Sequence, residues 1–172
     1  DHQAQGEFFD ILTQDPLTGL GQRRVFEQSL EQEIVRSARR GRTFVLAIVG
    51  VDEMSRLNRE WGKHVGDEVL KQVAKALKAG LRAEDLTARH AGDQFSALLP
   101  ETTREEAEPI LNAVRSAVAN VEFFVQGQSR QVTVSIGAIE YNSDVKNAGD
   151  AIDRVEKKQL AAREGGRNRV MF

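Results

Sequence analysis

One predicted turn carries a carboxylate, and one predicted strand ends in residues without polar side chains. Asp93 lies at the tip of a predicted hairpin, in the segment RHAGDQF of residues 89–95. Its carboxylate is the kind of hard oxygen ligand that Mg²⁺ prefers. A strand predicted for residues 44–51 ends with Gly50, which has no side chain, and Val51, which can offer only a backbone carbonyl. Asp93 is therefore a candidate ligand, whereas residues 50 and 51 offer no side-chain ligand.

A second candidate site is the pair Arg82 and Asp85, the one RxxD pattern in the chain. A guanidinium fork can hydrogen-bond guanine O6 and N7 or a phosphate, and a carboxylate can accept hydrogen bonds from the N–H groups of guanine. The alternative is an ordinary ion pair at a helix end, which contributes about 0.2–0.5 kcal/mol. The residues alone leave both interpretations open.

Composition limits the class of protein. A chain of 172 residues with 40% hydrophobic residues fits one domain that folds without disulfides, and it contains no cysteine. The formal net charge of -2 gives no overall attraction to nucleic acid. No apolar run approaches the ~18 residues that a membrane-spanning helix needs. We expect a domain that neither binds nucleic acid nor inserts into a membrane and, because it begins with Asp1, a fragment of a longer chain.

The pattern of apolar residues predicts an α/β fold. Residues 1–14 are polar with a narrow apolar edge and predict an incoming helix or linker, and residues 15–172 predict the domain itself. The apolar run of residues 44–51 predicts a strand covered on both faces. Hairpins are predicted around Gly92 and Gly127, and a short strand at the end of the chain. Helices are predicted for residues 24–40, 55–61, 66–81, 103–121 and 147–164.

Five segments, in this order and at this spacing, resemble the GGDEF domain of the diguanylate cyclase family. They are DPLTGLGQRRVF, VGVDEMSRLNREWGKHVGDEVL, RAEDLTARHAGDQFSALLP, VTVSIGAI and GGRNRV. The resemblance implies a mixed sheet of about five strands covered by helices, related to polymerase palm domains, plus a small hairpin. It also implies a reaction in which two GTP molecules, held on facing subunits, join into cyclic di-GMP.

The sequence departs from the family where the metal ions bind. By resemblance, the carboxylate that follows the first long strand falls on Gly50, and the carboxylate of the signature turn falls on Asp93. The signature reads AGDQF, so that Gln94 replaces a glutamate. Joining two nucleotides at an α-phosphate needs a pair of divalent ions. Asp93, with a carbonyl from Val51, is a poor cage for them, and we expect no catalytic residues beyond the remnant Asp93.

Other positions of the family are retained. The guanine-reading residues fall on Asn58 and Asp67, and basic phosphate-contacting positions fall on Arg163 and Arg167. These matches imply that a guanine nucleotide can still enter. The alternative is local, because Asn and Asp next to glycines often cap turns.

The RxxD pair lies in the register of the family's product-binding inhibitory site, because five residues separate Asp85 from Ala91. The resemblance implies that Arg82 and Asp85 bind cyclic di-GMP. It also implies a further arginine from the following helix of the same or a partner chain, for which Arg115 is the best candidate. Bound cyclic di-GMP often forms an intercalated dimer in this family, which bridges two subunits.

The sequence leaves four hypotheses open. The first is a catalytically degenerate GGDEF domain that binds cyclic di-GMP as a regulatory module of a cytoplasmic bacterial signalling protein, requires no cofactor, and forms homodimers. The second is a weak or conditional cyclase that uses Mg²⁺ or Mn²⁺. The third is a dimerisation or interaction module without nucleotide. A fourth hypothesis is a domain that binds GTP as an allosteric signal through the retained guanine-reading residues.

Overall fold

The computed structural model describes residues 14–172, and the predicted incoming helix or linker lies outside them except for Gln14. A mixed sheet of six strands has the order β1-β3-β4-β2-β7-β8, and β5 and β6 form a separate hairpin. The strands are β1 (Gly21–Gln22), β2 (Phe44–Val51), β3 (Leu86–Ala91), β4 (Gln94–Pro100), β5 (Phe123–Val125), β6 (Gln128–Arg130), β7 (Val134–Glu140) and β8 (Arg169–Met171). The helices are α1 (Arg23–Arg40), α2 (Met54–Trp61), α3 (Lys63–Gly80), α4 (Arg104–Ala119) and α5 (Ala148–Glu164).

The α/β prediction is confirmed, with one strand more than expected. The additional strand is β1, which has two residues and pairs in parallel with β3. The predicted second hairpin is shorter than the apolar segment that suggested it. It consists of β5 and β6, which pair over three residues each. The apolar residues that follow form β7, which joins the main sheet antiparallel to β2.

Strand β2 is the centre of the molecule. All its residues are buried, and it pairs antiparallel with β4 on one side and β7 on the other. Its side chains alternate between two apolar clusters, as the two faces of a strand require. One face packs on α2, α3 and α4, and the other packs on α1 and α5. This double coverage explains why the sequence of β2 is continuously apolar.

Helix ends follow local sequence signals. Helix α1 ends at Gly41, which adopts a left-handed conformation with φ of 64°. Helix α4 begins with a capping box between Thr103 and Glu106. Gly62, with φ of 88°, separates α2 from α3 and lets the chain turn sharply between them. Within residues 14–172, no helix combines the length and apolar character needed to cross a bilayer.

Candidate functional site

The C-terminal end of β2 lies between the turn of β3 and β4 and the start of β7. Gly50 is paired with Gln94 of β4 and with Ser135 of β7. The backbone N–H of Val51 donates a hydrogen bond of 3.0 Å to the carbonyl of Asp93, so the signature turn is fixed against β2. The fold therefore brings Gly50, Asp93 and Gln94 together, as the sequence predicts.

The space above Gly50 is filled by Gln159 of α5. A Cβ atom built on Gly50 would lie 2.3 Å from Nε2 of Gln159 and 3.0 Å from its Cδ. Gln159 is buried, with 3% of its surface exposed. Its Nε2 donates to the carbonyl of Ser135 at 3.3 Å, and its Oε1 accepts from Nε2 of Gln94 at 3.4 Å. Two neutral amides, those of Gln94 and Gln159, thus occupy the region where the resemblance to the GGDEF family implies acidic side chains.

Helix α5 can approach the sheet this closely because β7 carries a glycine at the crossing point. A Cβ atom on Gly137 would lie 2.1 Å from the backbone nitrogen of Gln159. Sequence reasoning missed Gln159. The available signal was its place on the buried face of α5, where Val155 and Ala162 are its apolar neighbours at helical spacing.

These residues do not fit a pair of divalent ions. Asp93 is the one carboxylate of the signature turn, Gln94 is neutral, and Gly50 contributes no side-chain ligand. No group of three or more His, Cys, Asp or Glu side chains in the described part of the chain is arranged to hold a metal ion. Magnesium and manganese ions need several oxygen ligands, and much of their binding energy comes from carboxylates.

A pocket of about 520 Å³ opens next to Asp93 and is lined by two of the four predicted nucleotide-binding residues. Asn58 of α2, Asp67 of α3 and Asp93 all line it. In the described residues, neither the Asn58 nor the Asp67 side chain forms a hydrogen bond with local backbone, so the structure does not favour the turn-capping alternative. The other lining residues are Met54, Ser55, Lys63, Leu70, Arg89 and Gly92.

The position of Asn58 depends on a close contact between α2 and α3. A Cβ atom on Gly66 would lie 1.9 Å from Oδ1 of Asn58 and 3.1 Å from Cε of Met54. The Asn58 side chain therefore lies directly over the glycine backbone. The amide reaches the pocket in this orientation because residue 66 has no side chain.

Arg163 and Arg167 are not among the residues that line this pocket. Both are exposed, at the end of α5 and in the loop that follows it. Arg167 has a positive φ of 62°, and its Nη1 lies 4.0 Å from Oε1 of Glu53. Arg167 therefore lies beside Glu53, the residue that precedes Met54 of the pocket lining.

A buried carboxylate anchors the loop that carries Arg167. Asp52 accepts hydrogen bonds of 2.6 Å from the hydroxyls of Thr133 and Ser135 and one of 3.2 Å from the backbone N–H of Asn168. Sequence reasoning did not identify this role. An aspartate at the end of a continuously apolar strand was the signal, since a buried carboxylate needs several donors.

Arg82 and Asp85 lie between α3 and β3 and line a second pocket of about 380 Å³. The Arg82 guanidinium donates to Asp85 through Nε at 3.2 Å and Nη2 at 2.9 Å, and the Arg82 backbone N–H donates to the same carboxylate at 2.8 Å. Nη2 also donates to the hydroxyl of buried Thr102. The hydrogen bond with Asp85 raises the pKa of Arg82 above its usual value. The Arg82 side chain remains 35% exposed, whereas that of Asp85 is fully buried.

The structure does not place Arg115 in this second pocket. Arg115 lies on α4, where its Nη1 donates to Oδ1 of Asn168 at 2.9 Å and its Nε donates to Oδ1 of Asn112 at 3.2 Å. In its own chain, Arg115 supports the same loop that Asp52 holds.

Comparisons with known proteins identify the family to which this fold belongs. A profile described as "Diguanylate cyclase, GGDEF domain" matches residues 12–169. This chain belongs to the GGDEF domain family. It is 36% identical over 157 residues to the diguanylate cyclase DgcP of Pseudomonas aeruginosa, a match that covers 91% of this chain and 23% of that protein.

Two solved structures show the same fold. The diguanylate cyclase SiaD of Pseudomonas aeruginosa, in complex with its activator SiaC, is 33% identical with a TM-score of 0.90, over 99% of this chain and 65% of that chain. The GGDEF domain of DgcB from Caulobacter crescentus, in complex with c-di-GMP, is 26% identical with a TM-score of 0.88, over 92% of this chain and 94% of that chain. The first curated relatives are longer, and this chain spans between 23% and 45% of their length.

Proposed function

We propose that this GGDEF domain binds cyclic di-GMP through Arg82 and Asp85 and does not synthesise it. In this account the domain is the receptor part of a longer bacterial signalling protein in the cytoplasm. It requires no cofactor, and the bound nucleotide changes how the domain pairs with a second copy or with neighbouring domains.

The observation that carries the loss of synthesis is the contact between Gly50 and Gln159. The family reaction needs two divalent ions that activate the nucleophile and neutralise the leaving pyrophosphate. Here the ligand position on β2 has no side chain, and a neutral amide fills the adjacent space. Asp93 alone supplies too little negative charge to hold both ions beside a triphosphate.

The arrangement of Arg82 supports nucleotide binding at the second pocket. Asp85 and Thr102 fix the Nε and Nη2 side of the guanidinium, so little freedom is left to lose when a ligand binds. Nη1 has no hydrogen-bond partner among residues 14–172, and the side chain is 35% exposed. A preorganised guanidinium with donors facing solvent suits a guanine edge or a phosphate.

In its own chain Arg115 contacts Asn168 and does not line this pocket, so we assign its contribution to a second copy of the chain. The proposal therefore includes a homodimer that is stabilised by the ligand. The DgcB structure gives a precedent for a GGDEF domain in complex with c-di-GMP.

Isothermal titration with cyclic di-GMP tests the proposal. We expect a dissociation constant in the micromolar range or tighter, about -8 kcal/mol, and a loss of at least tenfold in Arg82→Ala. Arg130→Ala is a matched control, since Arg130 lies on the exposed β6 and its one described partner is Gln128. The proposal fails if the unmodified chain gives no heat of binding, or if both arginine variants bind equally well.

A weak cyclase is the second candidate, because Asn58, Asp67 and Asp93 still line one pocket. In that case the pocket would hold GTP and recruit Mg²⁺ or Mn²⁺ from solution. Incubation with GTP and Mn²⁺, followed by chromatography, separates the candidates. Cyclic di-GMP in the product would favour the cyclase, and unchanged GTP would favour the receptor.

A further inference from the structure

We infer that the Gln159 side chain occupies the space in which the family's β2 carboxylate would lie. While Gln159 is present, a carboxylate restored at residue 50 would not bind a metal ion. The inference deepens the proposed function and rests on its claim that the domain holds no catalytic metal ions. It assigns a role to a residue on the last helix, far from the signature turn in the sequence.

The distances show that a side chain at residue 50 would clash with the Gln159 side chain. A methyl group on residue 50 would lie 2.3 Å from Nε2 of Gln159, which is too short for a contact between a carbon and a nitrogen atom that are not bonded. An aspartate there would begin with the same Cβ atom and extend further into the amide. One of the two side chains must therefore move if residue 50 is anything but glycine.

Gln159 has little room to move. Its backbone is pressed against Gly137, where a Cβ atom would lie 2.1 Å from the Gln159 nitrogen. Its amide is buried and bonded at both ends, to the Ser135 carbonyl and to the Gln94 side chain. Rotating the amide away would break both hydrogen bonds inside the protein, where unpaired polar groups are costly.

Gly50, Gln159 and Gln94 complement one another at this position. Gly50 leaves a space, Gln159 fills it, and Gln94 binds the filling amide instead of presenting a carboxylate. Each residue comes from a different element: β2, α5 and β4. Together they form a neutral, internally hydrogen-bonded unit at the place where the family reaction requires negative charge.

A double-mutant cycle on the free energy of unfolding tests the contact. The variants are Gly50→Ala, Gln159→Ala and the combination, each unfolded by urea. We expect Gly50→Ala to lower the urea midpoint strongly when Gln159 is present, and to lower it much less when residue 159 is alanine. The inference is overturned if Gly50→Ala produces the same shift in both backgrounds. The small alanine side chain keeps this test informative even where Gly50→Asp does not fold.

A second experiment tests directly whether Gln159 prevents metal binding at this position. The probe is Mn²⁺ together with the α,β-methylene analogue of GTP, which cannot react. We expect Mn²⁺ to raise the affinity for the analogue about tenfold or more, about 1.4 kcal/mol, in Gly50→Asp/Gln159→Ala, but not in Gly50→Asp alone. If removing Gln159 adds nothing to the Mn²⁺ response of Gly50→Asp, the inference fails.

The two arms do not depend on cyclic di-GMP. Neither arm involves the Arg82 pocket, because the hydrogen bonds of Arg82 go to Asp85, Pro100 and Thr102 and to none of these three residues. A failed titration with cyclic di-GMP would therefore remove the receptor proposal and leave the role of Gln159 standing, and the reverse also holds.

Discussion

The carboxylate of Asp52 accepts a hydrogen bond of 3.2 Å from the backbone N–H of Asn168, which joins the end of β2 to the loop after α5. This contact spans 116 positions in the sequence. Asn168 has a positive φ of 45°, in the left-handed region that asparagine adopts more readily than most residues. The buried carboxylate therefore helps to hold this loop against the sheet.

We expect Asp52→Ala to destabilise the domain by about 2–4 kcal/mol, because the buried Ser135 hydroxyl and two partly buried donors lose their acceptor. Urea unfolding measures the change. Asp153→Ala is the control, since Asp153 is exposed on α5 and should change stability by less than about 0.5 kcal/mol. Equal midpoints for the two variants would show that the Asp52 network contributes nothing to stability.

The stability of the domain should fall in acid partly through Asp15. Burial alone would raise the pKa of Asp15, but hydrogen bonds from Thr18 and the charge of Arg89 outweigh it and hold the pKa below the ordinary value of 3.8. A carboxyl whose pKa is lowered by folding stabilises the protein above its unfolded pKa, and this contribution is lost as the pH falls through the folded value.

The difference in unfolding free energy between the unmodified chain and Asp15→Asn isolates this contribution. We expect a constant difference at pH values above about 5, shrinking as the pH falls below 3.8. Urea titrations at a series of pH values measure it. A difference that grows toward acid would contradict the assigned direction of the pKa shift.

Gly66→Ala should displace the Asn58 side chain, because the new methyl group would lie 1.9 Å from its Oδ1. We expect a loss of stability of about 1–3 kcal/mol and a weaker response to GTP if GTP binds this pocket. The matched control is Gly92→Ala at the same pocket, where nothing lies within 4 Å of an added Cβ. Thermal unfolding with and without GTP gives both readings, and equal melting temperatures for the two variants would contradict the close contact.

Arg115 and Asn168 allow the proposed role of a second copy to be tested. We expect Arg115→Ala to weaken cyclic di-GMP binding several-fold, because the arginine then no longer reaches the pocket of the partner. Asn168→Gly removes the intrachain partner of Arg115 while keeping a residue that accepts positive φ, and it should leave the affinity unchanged. Calorimetric titration measures both variants. If they weaken binding equally, Arg115 acts through its own loop.

The parts of the fold that follow from local sequence were predictable. The apolar run of β2 indicated a strand covered on both faces, and Thr103 and Gly41 indicated helix ends. Strand β1 was not predictable in this way, because two residues give no period and the strand exists only through its pairing with β3.

The candidate site was predictable only in part. Asn58, Asp67 and Asp93 follow from their position in the resembling segments, and the structure brings them to one pocket. Gln159 was not predictable, because its role depends on how closely α5 crosses β7 at Gly137. The direction of Arg115 likewise depends on the loop around Asn168, which no local pattern encodes.

The central claim is tested most directly by a crystal structure of this chain grown with Mn²⁺ and the α,β-methylene analogue of GTP. Anomalous scattering locates manganese independently of the surrounding atoms. We predict that no manganese ion lies beside Gly50 and that the Gln159 amide still contacts the Ser135 carbonyl. A pair of fully occupied manganese ions between β2 and Asp93 would contradict the account.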